Sequence, residues 1–317
     1  MLQTAQTRKA RVLFVDDEQR ILTSMKMLFR REYEVFTCNS GAEALELLKE
    51  QKVEVVVSDQ RMPKMTGIEL LREVRDLQPQ AIRLLLTGYA DLNAIIGSIN
   101  EGEIFRFVSK PWSNEDLKAT LAKAVAAAEF EATIEEAEAS KPAAASEAAE
   151  EEAKPGILLL DQDADSRSLM KDMLAGDFNV FEADTIAECL DLLEKEDLGV
   201  IISDIYIQGT PVVELLSLLK QHQPHLVSII VTNRADAHAA IDLINHGQVY
   251  RFLMRPVREA MCKINVRSAI RRYSTLATNP QRTKRYEVET IEKPEALAST
   301  FVSRIRSMRS LFGGANS

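Results

Sequence analysis

The sequence predicts an α/β protein built as two tandem copies of one unit, each a five-stranded parallel sheet wrapped by helices. Three observations predict this. First, the halves align without a gap: Asp204 lies 145 residues after Asp59, and the same offset places LLLTGYA (84–90) on IIVTNRA (229–235) and NEGEIFRFVSKP (100–111) on NHGQVYRFLMRP (245–256). Second, apolar runs of strand length alternate with segments of helical period in each half. Third, runs such as VEVVV (53–57) are apolar along their whole length, as in a strand covered on both faces of a parallel sheet. A chain of 317 residues is comfortable for two such domains.

The first copy reads in order as follows. RVLFVD (11–16) is an apolar run of strand length, and ILTSMKMLFRR (21–31) carries Ile21, Met25, Leu28 and Phe29 at the spacing of a helix face. YEVFT is a strand, GAEALELLKEQ a helix and VEVVVSD a buried strand. TGIELLREVRDL, AIRLLLT, LNAIIGSINEG and IFRFVSK continue the alternation, and a last helix starts near Ser113. The expected organisation is a tail (1–10), a first unit (11–128), an Ala/Glu-rich linker (129–155), a second unit (156–272) and a tail (273–317). The linker's helix formers extend the last helix of the first unit until Pro142 stops it. Its charge run is a solvated, self-repelling spacer.

Composition narrows the function. A net charge of -9 argues against a nucleic-acid binder. Three cysteines, Cys38, Cys189 and Cys262, have no metal-ligand spacing and suit a reducing compartment. His222 and His225 form a His-x-x-His pair with no accompanying ligand cluster, so they are read as ordinary surface histidines. No stretch reaches the ~18 apolar residues of a membrane span, and MLQTAQTRKARV lacks a signal peptide's apolar core. The expected location is the cytoplasm.

In parallel α/β sheets, ligands bind beyond the carboxyl ends of the strands, where Asp16, Asp17, Asp59, Thr87 and Lys110 fall. Three carboxylates there call for a cation, and hard oxygen ligands suit Mg²⁺. A carboxylate is also a nucleophile toward phosphorus, giving an aspartyl phosphate. Lys110 is placed to balance the charge of the incoming group, and Thr87 to donate a hydroxyl hydrogen bond to it. Each residue alone is an ordinary cap or turn residue; together, on separate strand ends, they point to phosphoryl chemistry.

VLFVDDE, VVVSDQRMPKMTGIELL, LLLTGYAD and FRFVSKPW resemble the receiver domain of bacterial two-component response regulators, a flavodoxin-like (βα)5 fold, over roughly residues 10–130. The resemblance implies that Asp59 is phosphorylated by a histidine kinase or phosphotransfer protein. It also implies that Asp17 ligates Mg²⁺ directly, Asp16 acts mainly through water, and Arg61 offers its backbone carbonyl. Thr87 and Lys110 would bind the phosphoryl group and Phe107 would hold the aromatic switch position. The switch would remodel the face of the fourth helix, fifth strand and fifth helix. The wording around Asp59 and Lys110 is similar to receivers found ahead of cyclic-dinucleotide phosphodiesterase domains; neither that domain nor a helix-turn-helix is visible in this sequence.

The second unit resembles the same family but departs from it. Asp161, Asp204 and Thr232 remain, while Gln162 stands at the direct metal-ligand position and Arg255 at the lysine position. Asn233 replaces Gly88, and the loop after Asp204 reads IYIQGTPV, with Tyr206 and Gln208 where Arg61 and Pro63 occur. Arginine is bulkier than lysine and cannot lose its charge. A receiver-like fold that takes phosphate poorly or not at all is expected, with Arg255 reaching Asp204 or Asp161 in place of a metal. LLLDQDADS also resembles the Asp-x-Asp start of haloacid-dehalogenase-type phosphatases, but the repeat explains the segment without that assumption.

The expectation is a signalling protein, not an enzyme. The first receiver accepts phosphate, the second serves as an interaction module, and output runs through protein contacts that include phosphorylation-dependent self-association. The rival is a phosphorylation-independent scaffold or adaptor. In the last tail, Phe301, Ile305, Met308 and Phe312 form one helical stripe beside Arg304, Arg306 and Arg309. It is read either as docking a partner groove or anionic membrane surface, or as packing on its own protein.

Overall fold

The computed structural model describes residues 8–88, 104–139, 155–233, 237–246 and 249–279. The fourth helix expected at 92–102, most of the linker and the amphipathic stripe at 301–312 lie outside the described residues. Two compact units divide the chain, residues 1–136 and 137–317.

The first unit contains β1 (Arg11–Val15), α1 (Gln19–Phe29), β2 (Glu34–Cys38), α2 (Gly41–Glu50) and β3 (Val55–Asp59). It continues with α3 (Gly67–Leu77), β4 (Ile82–Thr87), β5 (Arg106–Ser109) and α4 (Asn114–Ala139). The strands form one parallel sheet in the order β2-β1-β3-β4-β5, the flavodoxin-like order. Every residue of β3 and β4 is buried, as strands covered on both faces require. On one face, Phe14 stacks on Phe29 with centroids 5.4 Å apart, and Val57, Leu84 and Val108 join Leu117 and Leu121 of α4. Leu22, Met25 and Phe29 are the buried stripe of α1, while Ile21 and Leu28 lie half-buried at its margins. The helix is therefore turned slightly from the face read in the sequence, because Leu22 meets the sheet squarely and Ile21 flanks it. Helix α4 runs into the acidic segment as far as Ala139.

The second unit repeats this plan with β6 (Gly156–Leu160), α5 (Ala164–Leu174), β7 (Val180–Ala183), α6 (Ile186–Lys195) and β8 (Leu198–Ser203). A two-stranded hairpin, β9 (Tyr206–Ile207) and β10 (Thr210–Pro211), precedes α7 (Val213–His222), β11 (Val227–Thr232), α8 (Ala237–Asn245), β12 (Arg251–Met254) and α9 (Glu259–Thr278). The parallel order β12-β11-β8-β6-β7 is the first sheet's order read from the other edge. Each unit thus reverses its winding direction beside its first strand, and a crevice opens beyond the carboxyl ends of β1 and β3, or of β6 and β8.

One glycine separates the copies. A Cβ on Gly67 would lie 2.2 Å from the carbonyl oxygen of Asp59 and 2.7 Å from Leu85 Cδ1, so α3 begins hard against the end of β3. The same position in the second copy is Val212, and there the chain makes the β9–β10 hairpin before its helix. Gly67→Ala should cost about 2–3 kcal/mol, since backbone, not a pliable side chain, must give way. A urea titration of the variant against the parent chain checks this.

Lys220 is buried in α7 and donates from Nζ to the Leu226 carbonyl at 2.9 Å. Burial, then the charge of Arg272, pulls its pKa down to about 7. The unfolded chain thus binds a proton here that the folded chain lacks between pH 7 and the usual lysine range. Stability should rise with pH across that window, by up to about 1.4 kcal/mol per unit. The thermal midpoint of the second unit should climb from pH 7 to 9, and Lys220→Met should flatten the climb. A climb unchanged in the variant would remove Lys220 as its cause.

Candidate functional site

Asp16 follows β1 and Asp59 ends β3, so strand order brings both to the crevice of the first unit, and both are almost fully buried. Backbone amides fix each carboxylate: Glu18 N donates to Asp16 Oδ1 at 2.8 Å and Arg61 N to Asp59 Oδ2 at 2.8 Å. Lys110, just beyond β5, reaches between them, with Nζ 2.6 Å from Asp59 Oδ1 and 3.5 Å from Asp16 Oδ2. Its amide donates to the Thr87 carbonyl at 2.8 Å, which ties the lysine to the end of β4. Its ammonium lies 5.6 Å from the Trp112 ring centroid.

These neighbours set the protonation equilibria. Burial pushes the Asp16 pKa up, with the Glu18 amide and Lys110 pulling the other way. Burial also works against the Lys110 charge, but the hydrogen bond and charge of Asp59, then Asp16, outweigh it and raise that pKa. Lys110 therefore stays charged at neutral pH. Thr87 is buried at the end of β4, with Oγ1 donating to the Gly88 carbonyl at 3.2 Å.

The structure brings together Asp16, Asp59 and Lys110, with Thr87 on the neighbouring strand end. Asp17 and Arg61 stand exposed at the rim. Among the described residues, no three His, Cys, Asp or Glu side chains form a group ready to hold a metal ion. The lysine takes the central position between the two carboxylates. The donors are all oxygen and two already converge on one positive centre, so the set fits Mg²⁺ by donor chemistry. Phe107 is buried, on the face of β5 opposite Val108 and the α4 core.

The second crevice is built differently. Asp161 retains the backbone clamp, with Asp163 N donating to its Oδ1 at 2.9 Å. Arg255 Nη2 pairs with Asp161 Oδ2, lies 3.9 Å from Asp204 Oδ2 and donates to the Val231 carbonyl at 3.3 Å. The expected arginine–aspartate pairing is present, with Asp161 as the closer partner. Asp204 accepts from Ile205 N at 2.6 Å, one residue earlier in the loop than in the first copy. Thr232 is buried at the end of β11, and Asn233 is exposed beside it.

Sequence reading missed the role of Gln162. Its Oε1 accepts from Gln208 N at 2.7 Å, fastening the β9–β10 hairpin to the strand-end loop. Gln208 and Gly209, with φ of 51° and 79°, form a two-residue turn of the kind that closes tight hairpins. The signal was present in Gln208-Gly209 flanked by Tyr-Ile and Thr-Pro.

Residues 12–122 and 157–266 each match the response regulator receiver domain family. The chain belongs to that family. It carries two such domains in tandem, of the kind that work in two-component signalling. One stretch of the chain is 41% identical over 120 residues to the hydrogenase transcriptional regulatory protein HoxA of Cupriavidus necator, covering 38% of this chain and 25% of HoxA. Another relative, the sensor kinase CckA of Brucella abortus, is 37% identical over 115 residues, covering 35% of this chain and 12% of CckA. Among solved structures, the signal receiver domain of an HD domain-containing protein from Pseudomonas fluorescens Pf-5 is 34% identical, covers 42% of this chain and 98% of its own, and has a TM-score of 0.39. The chain spans about a quarter of HoxA's length. No helix among the described residues is long and apolar enough to cross a membrane.

Proposed function

We propose that the first receiver accepts a phosphoryl group on Asp59 from a histidine kinase or phosphotransfer protein, and that this cytoplasmic chain acts as a regulator and not an enzyme. The observation that carries the reading is the Lys110 ammonium 2.6 Å from Asp59 Oδ1, with Asp16 on its other side. An Asp59 carboxylate oxygen forms the new bond to phosphorus as the donor's phosphorus–nitrogen bond breaks, leaving the donor imidazole. Lys110 follows the charge that moves onto the phosphoryl oxygens, and the Thr87 hydroxyl turns from Gly88 to donate to one of them. Asp16, Asp17, Asp59 and the Arg61 carbonyl would hold Mg²⁺, which neutralises charge between carboxylates and phosphate when bound.

The second receiver acts in this proposal as a phosphorylation-deficient interaction module. A guanidinium bound to Asp161, and a Gln162 engaged by the hairpin, support that role. Output runs through protein contacts, with no nucleic acid, because the chain carries a net charge of -9. Sedimentation of the full chain with and without the phosphoryl mimic beryllofluoride tests the switch. A shifted self-association or partner equilibrium is expected. Superimposable profiles, alone and with candidate kinases, would favour the scaffold.

A further inference from the structure

A lysine carries its charge on one nitrogen at the end of a flexible four-carbon stem, so the place of Lys110 depends on what surrounds its ammonium. Among the described residues, two carboxylates and one ring do so. Asp59 Oδ1 and Asp16 Oδ2 lie 2.6 and 3.5 Å away, and the ammonium stands over the Trp112 ring, 5.6 Å from its centroid. That distance is within the ~6 Å reach of a cation–π contact. The lysine side chain is 28% exposed, so a way out to solvent is open to it.

The carboxylates and the ring are not equivalent neighbours. Asp16 and Asp59 are also the oxygen donors that would hold Mg²⁺, and a divalent cation between them takes the lysine's acceptors and repels its charge. The ring keeps its hold, because Mg²⁺ prefers hard oxygen ligands. We propose that Trp112 is a positioning residue for Lys110. Its indole face keeps the ammonium at the mouth of the crevice once the carboxylates are taken up by Mg²⁺, so that the charge is in place when the phosphoryl group arrives. This role rests on Asp59 as the phosphate acceptor and adds Trp112 to the same site.

The second copy is a control for packing. Val257 occupies the position of Trp112 and, like it, sits half-buried against the core of its own unit. The fold is satisfied by valine there and does not need a ring. The cation differs as well: Arg255 pairs with Asp161 and reaches the Val231 carbonyl, one planar group spanning several acceptors. A single ammonium nitrogen cannot span them in this way. The aromatic face accompanies the lysine, and an aliphatic residue accompanies the arginine. In the first unit the ring also shares a groove with Ile21, Met27 and Leu28 of α1, which flank it on the side of that helix.

A double-mutant cycle with Lys110→Met tests this on the full chain, with acetyl phosphate and Mg²⁺ as reagents and intact-protein mass spectrometry as the readout. Trp112→Leu should slow labelling at Asp59 roughly fivefold, the scale of one half-exposed cation–π contact, with unchanged circular dichroism. Trp112→Phe, which keeps an aromatic face, should recover most of that rate. In the Lys110→Met chain, Trp112→Leu should slow labelling no further. Trp112 is the only tryptophan in the chain, so its emission gives a readout that needs no phosphate. Mg²⁺ alone should change the emission of the parent chain and leave that of Lys110→Met unaltered. Equal labelling of the parent and Trp112→Leu chains, or an equal loss with and without Lys110, would overturn the role of Trp112 while leaving Asp59 as the acceptor. So would a loss that Trp112→Phe does not recover, or an emission change that survives Lys110→Met. A parent chain that takes no label would overturn the acceptor reading and this role with it.

Discussion

Incubated with acetyl phosphate and Mg²⁺, the full chain is expected to gain one phosphoryl group, at Asp59, and the Asp59→Ala chain none. Two features make Asp59 the acceptor instead of its neighbour Asp16. Asp59 Oδ1 lies 2.6 Å from the Lys110 ammonium against 3.5 Å for Asp16 Oδ2, and burial pushes the Asp16 pKa up. Lys110→Met should lower the labelling rate by roughly a hundredfold or more, the scale of losing one preorganised charge at a developing anion. Chelation of Mg²⁺ should act in the same direction, since Lys110 alone would face both the carboxylates and the incoming phosphate. Intact-protein mass spectrometry at short times reads all three effects. Full labelling of the Asp59→Ala chain would place the acceptor elsewhere.

Much of this site was legible in the sequence because strand-end chemistry follows from topology. Once VLFVDDE and VVVSDQ are strands of a parallel sheet, Asp16 and Asp59 must meet at the crevice where the winding reverses, and Lys110 must arrive from a neighbouring strand. What residue types do not settle is which groups touch. Asp16 and Asp17 are adjacent, yet Asp16 still bonds through its amide to the Cys38 carbonyl of β2 and is buried beside Lys110, whereas the chain turns off the sheet at Asp17 and leaves it at the rim. The Gly67 requirement was hidden because it depends on the Asp59 carbonyl, a backbone atom eight residues away. The same offset puts Val212 there in the second copy, and this contrast was the readable clue to a rebuilt loop. Gln162 was legible as a lost metal ligand, but its bond to Gln208 required the hairpin's place in space.

In the second receiver, Arg255→Ala should destabilise that half by about 3 kcal/mol, the cost of stripping the partner from a largely buried charge. Arg255 is the cation between Asp161 and Asp204, as Lys110 is between Asp16 and Asp59, but its guanidinium also spans to the Val231 carbonyl. Removing it leaves two carboxylates facing each other. Adding Asp161→Asn to Arg255→Ala should recover a large part of the loss, because the repulsion then disappears with the charge. Mg²⁺ should stabilise Arg255→Ala more than the parent, by occupying the space between the carboxylates. Phosphoryl transfer is a stricter demand. In the Asp59→Ala chain, Arg255→Lys alone should not produce label at Asp204, because Gln162 still holds the hairpin and supplies no negative ligand. Gln162→Asp with Arg255→Lys restores the charge pattern of the first copy, and Asn233→Gly restores the small residue that the first copy has at Gly88. Label appearing at Asp204 only with these changes combined would show that the second site differs by a few identifiable groups. Label at Asp204 in the otherwise unaltered Asp59→Ala chain would show instead that the arginine yields to Mg²⁺ and that the second receiver is a working phosphate acceptor.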